Sequence, residues 1–201
     1  TRRYEGVDMK SRHPRALLLL AKYPEPGSVK TRLVNGTEEN GFNGLKHICD
    51  RAGTPIGEEK AGHLAANLYR AFLTDRFRAH QGDSYHLYLG TSQPEHTTLF
   101  RAITGDKVLY QTVQGANLGE MMFRIFEALL ERYQRVIISG TDFPYVSESI
   151  VERVLHQLDS DEIVLVPALD GAYNIIGMSR HHNIFTISKW SSGSELQETI
   201  H

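Results

Sequence analysis

The stretch of sequence that decides the fold is Arg135–Pro144, RVIISGTDFP. Residues 136–138 form a short β-branched apolar run, which is typical of a buried strand. The run stops at Ser139, a single acid follows at Asp142, and Pro144 blocks an immediate return to regular pairing. The stretch therefore predicts a buried strand that delivers one carboxylate to the end of a sheet.

The composition is that of an ordinary soluble globular protein. A chain of 201 residues is long enough for one substantial core and short for two domains. The net charge of −2 gives no global basic field that would favour nucleic acid or an anionic membrane. Any anionic ligand must therefore be held by a local cluster of cations.

The sequence favours a cytoplasmic protein without a membrane span. Cys49 is the only cysteine, so no intrachain disulfide can form, and this fits a reducing compartment. The longest apolar run, residues 16–21, is far shorter than the roughly 20 residues that cross a bilayer. The oligomeric state is left open by the sequence.

Strand and helix patterns alternate along the chain. Helical spacing of apolar residues is clearest at 56–80 and 118–133, and Ser149 with Glu152 fits a capping-box start for a later helix. Short apolar runs predict strands at 17–20, 85–89, 107–113, 136–138, 163–166 and 174–178. This alternation predicts an α/β fold with an open, mostly parallel sheet and helices on both faces.

The predicted layout is a flexible arm at 1–15 followed by a single domain at 16–201. Residues 35–57 contain five glycines and little periodic apolar character. A connection of this length is uncommon in a compact domain and is typical of a lid, a binding loop or a disordered insert. We therefore interpret 35–57 as a Gly-rich insertion.

Polar clusters follow three of the predicted strands. Lys22–Arg32 follows the first strand, Asp142 follows the strand at 136–138, and Asp170 follows the strand at 163–166. Ligands of an open α/β sheet bind beyond the carboxyl ends of its strands. We therefore expect the three clusters to meet at one rim of the sheet.

The first cluster has the chemistry of a polyphosphate clamp. Lys22, Lys30 and Arg32 bring positive charge, and Gly27 lets backbone amides approach an anion closely. A solvated loop with basic side chains is the alternative for this cluster taken alone. A Walker A loop is excluded, because Val29 stands where that motif needs glycine.

Asp142 and Asp170 are candidate oxygen ligands for Mg²⁺ or Mn²⁺, which are bound by few carboxylates together with water and substrate phosphates. Taken alone, either acid could instead be a turn residue that bonds its own backbone. The histidines and Cys49 show no zinc-site spacing. Ser139 lacks the Gly-x-Ser-x-Gly context of a serine hydrolase.

Several motifs resemble those of a known family. Residues 21–33, AKYPEPGSVKTRL, match Ala-Lys-x-Pro-x-Pro-Gly-x-Val-Lys-Thr-Arg-Leu at every stated position. Residues 140–144 resemble Gly-x-Asp-x-Pro, and residues 167–173 resemble Pro-Ala-x-Asp-Gly-Gly-Tyr with Ala172 for the second glycine. The chain thus resembles the glycosyltransferase-A-like family of nucleotide-diphospho-sugar transferases, once grouped as a domain of unknown function.

The resemblance extends over about residues 16–200, with roughly 36–52 as an insertion. Residues 114–122 resemble a segment that ends Asp-Leu-Gly-Glu-Arg-Met, with Asn117 in place of the acid and Met121 in place of the arginine. Phe185 and Trp190-Ser191-Ser192 resemble a closing Phe and Trp-Ser-Thr. The same fold includes nucleotidyltransferases, and the phospholactate guanylyltransferases have a similar Lys-rich loop.

The resemblance implies a nucleotide-diphospho-sugar transferase fold with a divalent cation, Mg²⁺ or Mn²⁺, at Asp142. Asp170 would complete the metal shell or act as a base on the acceptor. The implied nucleotide site and acceptor pocket are each made of a few residues. The diphosphate would be bound by Lys22, Gly27, Lys30, Thr31 and Arg32, and the acceptor by Asn117, Glu120, Tyr173 and Trp190.

Three functions remain open from the sequence. The first is metal-dependent transfer from a nucleoside diphosphate sugar to an unknown small-molecule acceptor. The second is nucleotidyl transfer to a small phosphorylated acceptor with release of pyrophosphate. The third is a non-catalytic protein that binds nucleotides or sugars, because one fold commonly hosts several functions.

Overall fold

A mixed sheet of six strands forms the centre of the protein in the computed structural model, which describes residues 13–36, 43–187, 190 and 192–200. The strands are β1 (His13–Leu20), β2 (His86–Thr91), β3 (Leu109–Thr112), β4 (Tyr133–Gly140), β5 (Ile163–Pro167) and β6 (Tyr173–Met178). Their order in the sheet is β3-β2-β1-β4-β6-β5. Strands β1 to β4 pair in parallel, and β6 is antiparallel to both β4 and β5.

Helices cover both faces of this sheet. They are α1 (Thr31–Asn35), α2 (Gly44–Arg51), α3 (Glu58–Arg78), α4 (Thr97–Thr104), α5 (Leu118–Leu130), α6 (Glu148–Gln157) and α7 (Glu195–Ile200). Side chains alternate along β1, so that Leu17 and Leu19 pack with α3, α4 and α6 while Ala16 and Leu18 pack with α5. Two apolar layers therefore enclose the sheet.

The predicted α/β fold with an open, mostly parallel sheet is confirmed. The direction of β6 has a simple cause, because only residues 168–172 separate it from β5. A parallel neighbour needs a crossover of about a dozen residues or more, whereas a short turn can only return antiparallel. The short connection therefore places the β5–β6 turn at the same rim as the end of β4.

One detail of the layout differs from the sequence prediction, and parts of two predicted segments lie outside the described residues. Helix α6 begins at Glu148 with Ser147 at its N-cap, so the predicted start at Ser149 is wrong. Glu152 forms an ion pair with Arg15 at 3.1 Å and does not close a capping box. Of the predicted arm and insertion, residues 1–12 and 37–42 lie outside the described residues, and α2 occupies part of the rest of the insertion.

None of the helices in the described part of the chain has the length and apolar character needed to cross a membrane.

A buried polar network interrupts the apolar face of α3. Arg76 and His80 are 1% and 0% exposed. His80 Nδ1 lies 2.7 Å from the Tyr85 hydroxyl, and its Nε2 lies 3.1 Å from the carbonyl oxygen of Val146. Burial lowers the pKa of His80 to about 4, and the nearby charge of Arg76 adds to this effect. The imidazole is therefore neutral in the folded protein at neutral pH.

His80 is expected to make the protein sensitive to acid. Its pKa is about 4 when folded and 6.5 when exposed, so the unfolded chain binds the proton more readily below pH 6.5. The free energy of unfolding should then fall as the pH drops from 6.5 towards 4, by up to roughly 3 kcal/mol. His80→Gln should remove this component, which urea denaturation of both proteins near neutral pH and near pH 4.5 would measure. An equal acid loss in both proteins would contradict this assignment.

Candidate functional site

Three loops leave the sheet at one rim. The ends of β1 and β4 lie side by side, because Leu20 pairs with Gly140. The start of β6 lies beside the end of β4, since Ser139 pairs with Ile175. The loops that follow β1, follow β4 and precede β6 carry the three polar clusters that the sequence places at strand ends.

The segment after β1, residues 21–32, is called the basic loop below and includes the first two residues of α1. Gly27 has a φ of 77°, a left-handed conformation that favours glycine. A Cβ on Gly62 of α3 would lie only 3.1 Å from the Gly27 nitrogen, so the small residue lets the helix approach the loop closely. Lys22 and Arg32 are exposed on this loop. Two of its three cations are therefore free to meet a ligand from solvent.

Lys30 connects the basic loop to the acid after β4. Its ammonium lies 2.5 Å from Asp142 Oδ1 and 4.8 Å from the centroid of the Tyr69 ring. The lysine side chain is 20% exposed, whereas that of Asp142 is 69% exposed. Lys30 has a φ of 52°, the only positive φ outside glycine among the described residues. Thr31 follows it as the first residue of α1.

Tyr69 of α3 joins the ends of β1 and β4. The Thr141 hydroxyl donates to the Leu20 carbonyl at 3.0 Å, so the Tyr69 hydroxyl donates to Thr141 at 2.8 Å. The same hydroxyl accepts a hydrogen bond from the backbone of Lys22. Burial raises the pKa of Tyr69, and the charge of Asp142 adds to the rise. The tyrosine therefore stays protonated at neutral pH and acts as a fixed bridge.

Asp170 lies in the turn between β5 and β6. Its exposed carboxylate accepts a hydrogen bond from the Ala172 backbone N–H at 3.2 Å. Gly171 has a φ of 85°, and a Cβ there would lie 1.9 Å from the carbonyl oxygen of Gly193. The backbone N–H of Leu196 donates to the Gly171 carbonyl at 3.1 Å. The C-terminal segment thus holds the turn that presents Asp170.

The two acids suit a hard divalent cation. Asp142 and Asp170 are exposed carboxylates on loops from neighbouring strands. Within the described ranges, no group of three or more His, Cys, Asp or Glu side chains could hold a metal ion. Mg²⁺ is commonly bound by one or two carboxylates with water and substrate phosphates. The donor chemistry therefore fits an ion that binds together with a polyphosphate.

Asn117 and Glu120 form a variant of the capping box at the start of α5, in which Glu120 bonds the residue before the N-cap. The Asn117 side chain accepts from the Glu120 backbone N–H at 2.9 Å, and Glu120 accepts from the Ala116 backbone N–H at 2.8 Å. Glu120 also pairs with Arg124. The Ala116 hydrogen bond, and then Arg124, hold the pKa of Glu120 below its usual value. Both residues have structural partners, and their role in an acceptor pocket stays a prediction.

Tyr173 and Trp190, the two aromatic residues predicted for the acceptor pocket, are both half-buried. Trp190 packs on Gly119 in the first turn of α5, where a Cβ would lie 2.6 Å from the indole Cζ2. Burial raises the pKa of Tyr173, the Thr199 hydroxyl opposes the rise, and the Glu195 carboxylate adds to it. Both aromatic residues pack against the apolar layer on the α5 side of the sheet, and Tyr173 lies three residues after Asp170.

An open cleft of about 560 Å³ lies between residues 111–114 and α5. Its lining includes Glu120, and does not include Lys30, Asp142 or Asp170. The cleft is therefore separate from the rim at which the basic loop meets Asp142.

The sequence motifs do not identify three residues that make important contacts: Tyr69, Thr141 and Arg76. Thr141 occupies an unspecified position of the Gly-x-Asp-x-Pro motif, and Tyr69 has the spacing of an ordinary core residue. Arg76 carries a recognisable signal, because it continues the stripe of Tyr69 and Leu73 at helical spacing. A single cation in an apolar stripe indicates a buried polar contact.

The fold and the rim define an α/β protein with a candidate ligand site at the ends of its strands. Residues 73–192 match the family described as "Uncharacterized protein conserved in bacteria (DUF2064)", and the chain belongs to this family. The matched range contains the loops of Asp142 and Asp170, and it begins after the basic loop. No curated protein matches the sequence.

Solved structures are similar to this chain over most of its length. A candidate nucleotide-diphospho-sugar transferase from Desulfovibrio desulfuricans G20 has a TM-score of 0.74 and 27% identity, and the match covers 94% of this chain and 74% of that one. The 4-diphosphocytidyl-2C-methyl-D-erythritol synthase from Anaerococcus prevotii DSM 20548 has a TM-score of 0.49 and 13% identity, with 96% and 84% covered.

Asn117 offers a direct test of the capping box. Asn117→Ala is expected to lower the free energy of unfolding by about 1 kcal/mol, because the Glu120 N–H loses its acceptor. Asn117→Asp keeps an acceptor atom and restores the acid of the related motif, so it should keep full stability. Urea denaturation of the three proteins measures both effects. Equal stability of the alanine variant and the unmodified protein would exclude the capping role.

Proposed function

We propose that the protein is a metal-dependent transferase whose donor is a nucleoside diphosphate sugar. The observation that carries this function is the 2.5 Å contact of Lys30 with Asp142, which brings the basic loop and the acid after β4 to one point. The likeness to the Desulfovibrio desulfuricans protein, at 27% identity, supports the same class.

The basic loop would hold the diphosphate of the donor. Arg32 can grip one phosphate with two parallel N–H groups, whereas Lys22 and Lys30 act as point charges. Gly27 lets backbone N–H groups approach the anion, and Thr31 adds a hydroxyl. Because the net charge of the chain is −2, this local cluster supplies the attraction that the molecule as a whole lacks.

Asp142 and Asp170 would bind Mg²⁺ or Mn²⁺ at the rim. The bound ion supplies positive charge that stabilises the departing diphosphate. The ion would compete with the Lys30 ammonium for the Asp142 carboxylate, and a displaced ammonium would be able to pair with a phosphate. Asp170 either completes the ligands of the ion or takes the proton of the acceptor hydroxyl. Tyr173 and Trp190 would form the wall against which the acceptor lies.

Nucleotidyl transfer is the second candidate. The basic loop carries three cations, which also suit the triphosphate of an NTP, and the same acids would then serve at the α-phosphate. The products distinguish the two reactions. Sugar transfer releases a nucleoside diphosphate, whereas nucleotidyl transfer to a phosphorylated acceptor releases pyrophosphate.

A non-catalytic binding protein is the third candidate. Asn117 and Glu120 both have structural roles in the capping box, and these roles account for the two residues without an acceptor. Turnover of any nucleotide sugar or NTP above a metal-free control would exclude this function. Binding without turnover of any donor would support it.

The metal role of Asp142 is tested with nucleoside diphosphates, their sugars and NTPs, each with and without Mn²⁺. Thermal unfolding should show a larger stabilisation by the bound nucleotide when Mn²⁺ is present, since a ligand stabilises the native state by mass action. Asp142→Asn should abolish the Mn²⁺-dependent increment and should not reduce the metal-free one, because it frees the Lys30 ammonium for the phosphate.

The matched control is Asp106→Asn, which changes another exposed acid, 91% accessible and far along the chain from the rim loops. It should behave like the unmodified protein. If Asp142→Asn kept the full Mn²⁺-dependent increment, Asp142 would not be a metal ligand.

Lys30 should control access of the metal to Asp142. Lys30→Met removes the ammonium that neutralises the carboxylate, while the strained backbone still carries a non-glycine residue. Binding of Mn²⁺ alone should then tighten several-fold, whereas binding of inorganic pyrophosphate should weaken about tenfold or more. Electron paramagnetic resonance of free Mn²⁺ and calorimetry measure the two changes.

Lys46→Met is the control for Lys30, because Lys46 pairs with Glu58 at 3.8 Å on the surface of α2 and α3. It should leave both affinities unchanged. A Lys30→Met protein that binds pyrophosphate as tightly as the unmodified protein would remove Lys30 from the diphosphate site.

A further inference from the structure

Arg76 is a buried cation without an acidic partner. Its side chain is 1% exposed on α3, and it forms no ion pair with an acid in the described part of the chain. Burial lowers the pKa of Arg76 to about 10, so the guanidinium is still charged at neutral pH. Its Nε is buried and has no hydrogen-bond partner.

A charge in this position is costly for the fold. Moving an ion out of water costs several kcal/mol even after relaxation, and no carboxylate offsets that cost here. The neighbours Leu73 and Phe77 on the same helix are fully buried apolar residues. An apolar side chain at position 76 would therefore suit this core better, and the contacts of the guanidinium indicate what the arginine does instead.

The guanidinium joins the two ends of the loop that carries Asp142. Nη2 donates to Ser139 Oγ at 3.2 Å, just before the end of β4. Nη1 donates to the carbonyl oxygen of Val146, just before α6 begins. The planar guanidinium of Arg76 thus contacts the two residues that flank the segment 140–145, Ser139 and Val146. His80 lies beside the second contact and also faces the Val146 carbonyl.

The bracketed segment has other supports as well. Gly140, its first residue, ends β4 and pairs with Leu20 of β1, and Phe143 packs against the apolar core. Thr141 is held by Tyr69, and Tyr145 is 87% exposed. The fork of Arg76 thus holds both ends of the segment, the Tyr69–Thr141 hydrogen bond holds the residue before Asp142, and the Lys30 ammonium contacts the carboxylate itself.

We propose that Arg76 is a positioning residue for Asp142, whose guanidinium sets the geometry in which the carboxylate receives a divalent cation. This role rests on the proposed function, because it requires Asp142 to be a metal ligand. This role adds a buried core residue to the site. It also gives a function to a buried charge that destabilises the fold.

The test separates the basic loop from the metal loop by using inorganic pyrophosphate as the probe. Its affinity without metal reports on the basic loop, and the factor by which Mn²⁺ tightens it reports on Asp142. Calorimetry is run on the unmodified protein, Arg76→Met, Arg76→Lys and Asp142→Asn. The control is Arg78→Met, which changes an exposed arginine of the same helix.

Arg76→Met should keep the metal-free pyrophosphate affinity within about twofold and lose most of the Mn²⁺ enhancement, as Asp142→Asn does. Arg76→Lys keeps the charge but loses the fork, so it should show the same selective loss. Arg78→Met should keep the full enhancement. A structural defect alone would weaken both affinities together, which distinguishes it from positioning.

Arg76→Met is expected to fold, because Ser139 still donates to the Gly140 carbonyl and the Val146 carbonyl still faces His80. Urea denaturation checks this, and Arg76→Lys decides the question if the methionine variant fails to fold. Full Mn²⁺ enhancement in a folded Arg76 variant would overturn the positioning role. If the unmodified protein shows no enhancement, the metal role of Asp142 is itself wrong, and that of Arg76 falls with it.

Discussion

The Tyr69 hydroxyl lies where the ends of β1 and β4 meet, and its hydrogen bonds to Thr141 and to the backbone of Lys22 join the two loops of the rim. An unpaired polar group in such a buried place would cost about 1–3 kcal/mol, so both loops are held to the geometry that satisfies it. The ammonium of Lys30 lies over the same ring. Helix α3 is thus the common support of the basic loop and of Asp142, and Arg76 extends that support by two turns.

The sheet and its helices could be predicted because the spacing of apolar residues reports directly which side of an element is buried. The direction of β6 depends instead on the length of the connection that precedes it. Helix α6 begins before the residue that the sequence pattern predicts. Ser147 and Ser149 both have the chemistry of an N-cap, and the sequence alone does not distinguish them. The presence and type of the helices and strands were therefore easier to predict than the residues at which they begin and end.

The shared rim could also be predicted, because parallel strands bring their carboxyl ends to one edge. The direct contact of Lys30 with Asp142 could not, since it requires a left-handed backbone that motifs do not reveal at a lysine. The spacing of Asn117 and Glu120 has two meanings in sequence. It belongs to a motif associated with an acceptor and it is also a capping box, and only the structure shows that the cap is formed.

The left-handed conformation of Lys30, with φ at 52°, is unfavourable by roughly 1–2 kcal/mol for an L-residue. The cost is met during folding, when α1 and the Tyr69 ring fix the lysine in place. An anion that binds to the basic loop would therefore meet an ammonium that has already lost much of its rotational freedom, and less entropy would be lost on association. The strained backbone of Lys30 slightly lowers the stability of the fold, and it would preorganise the lysine for binding.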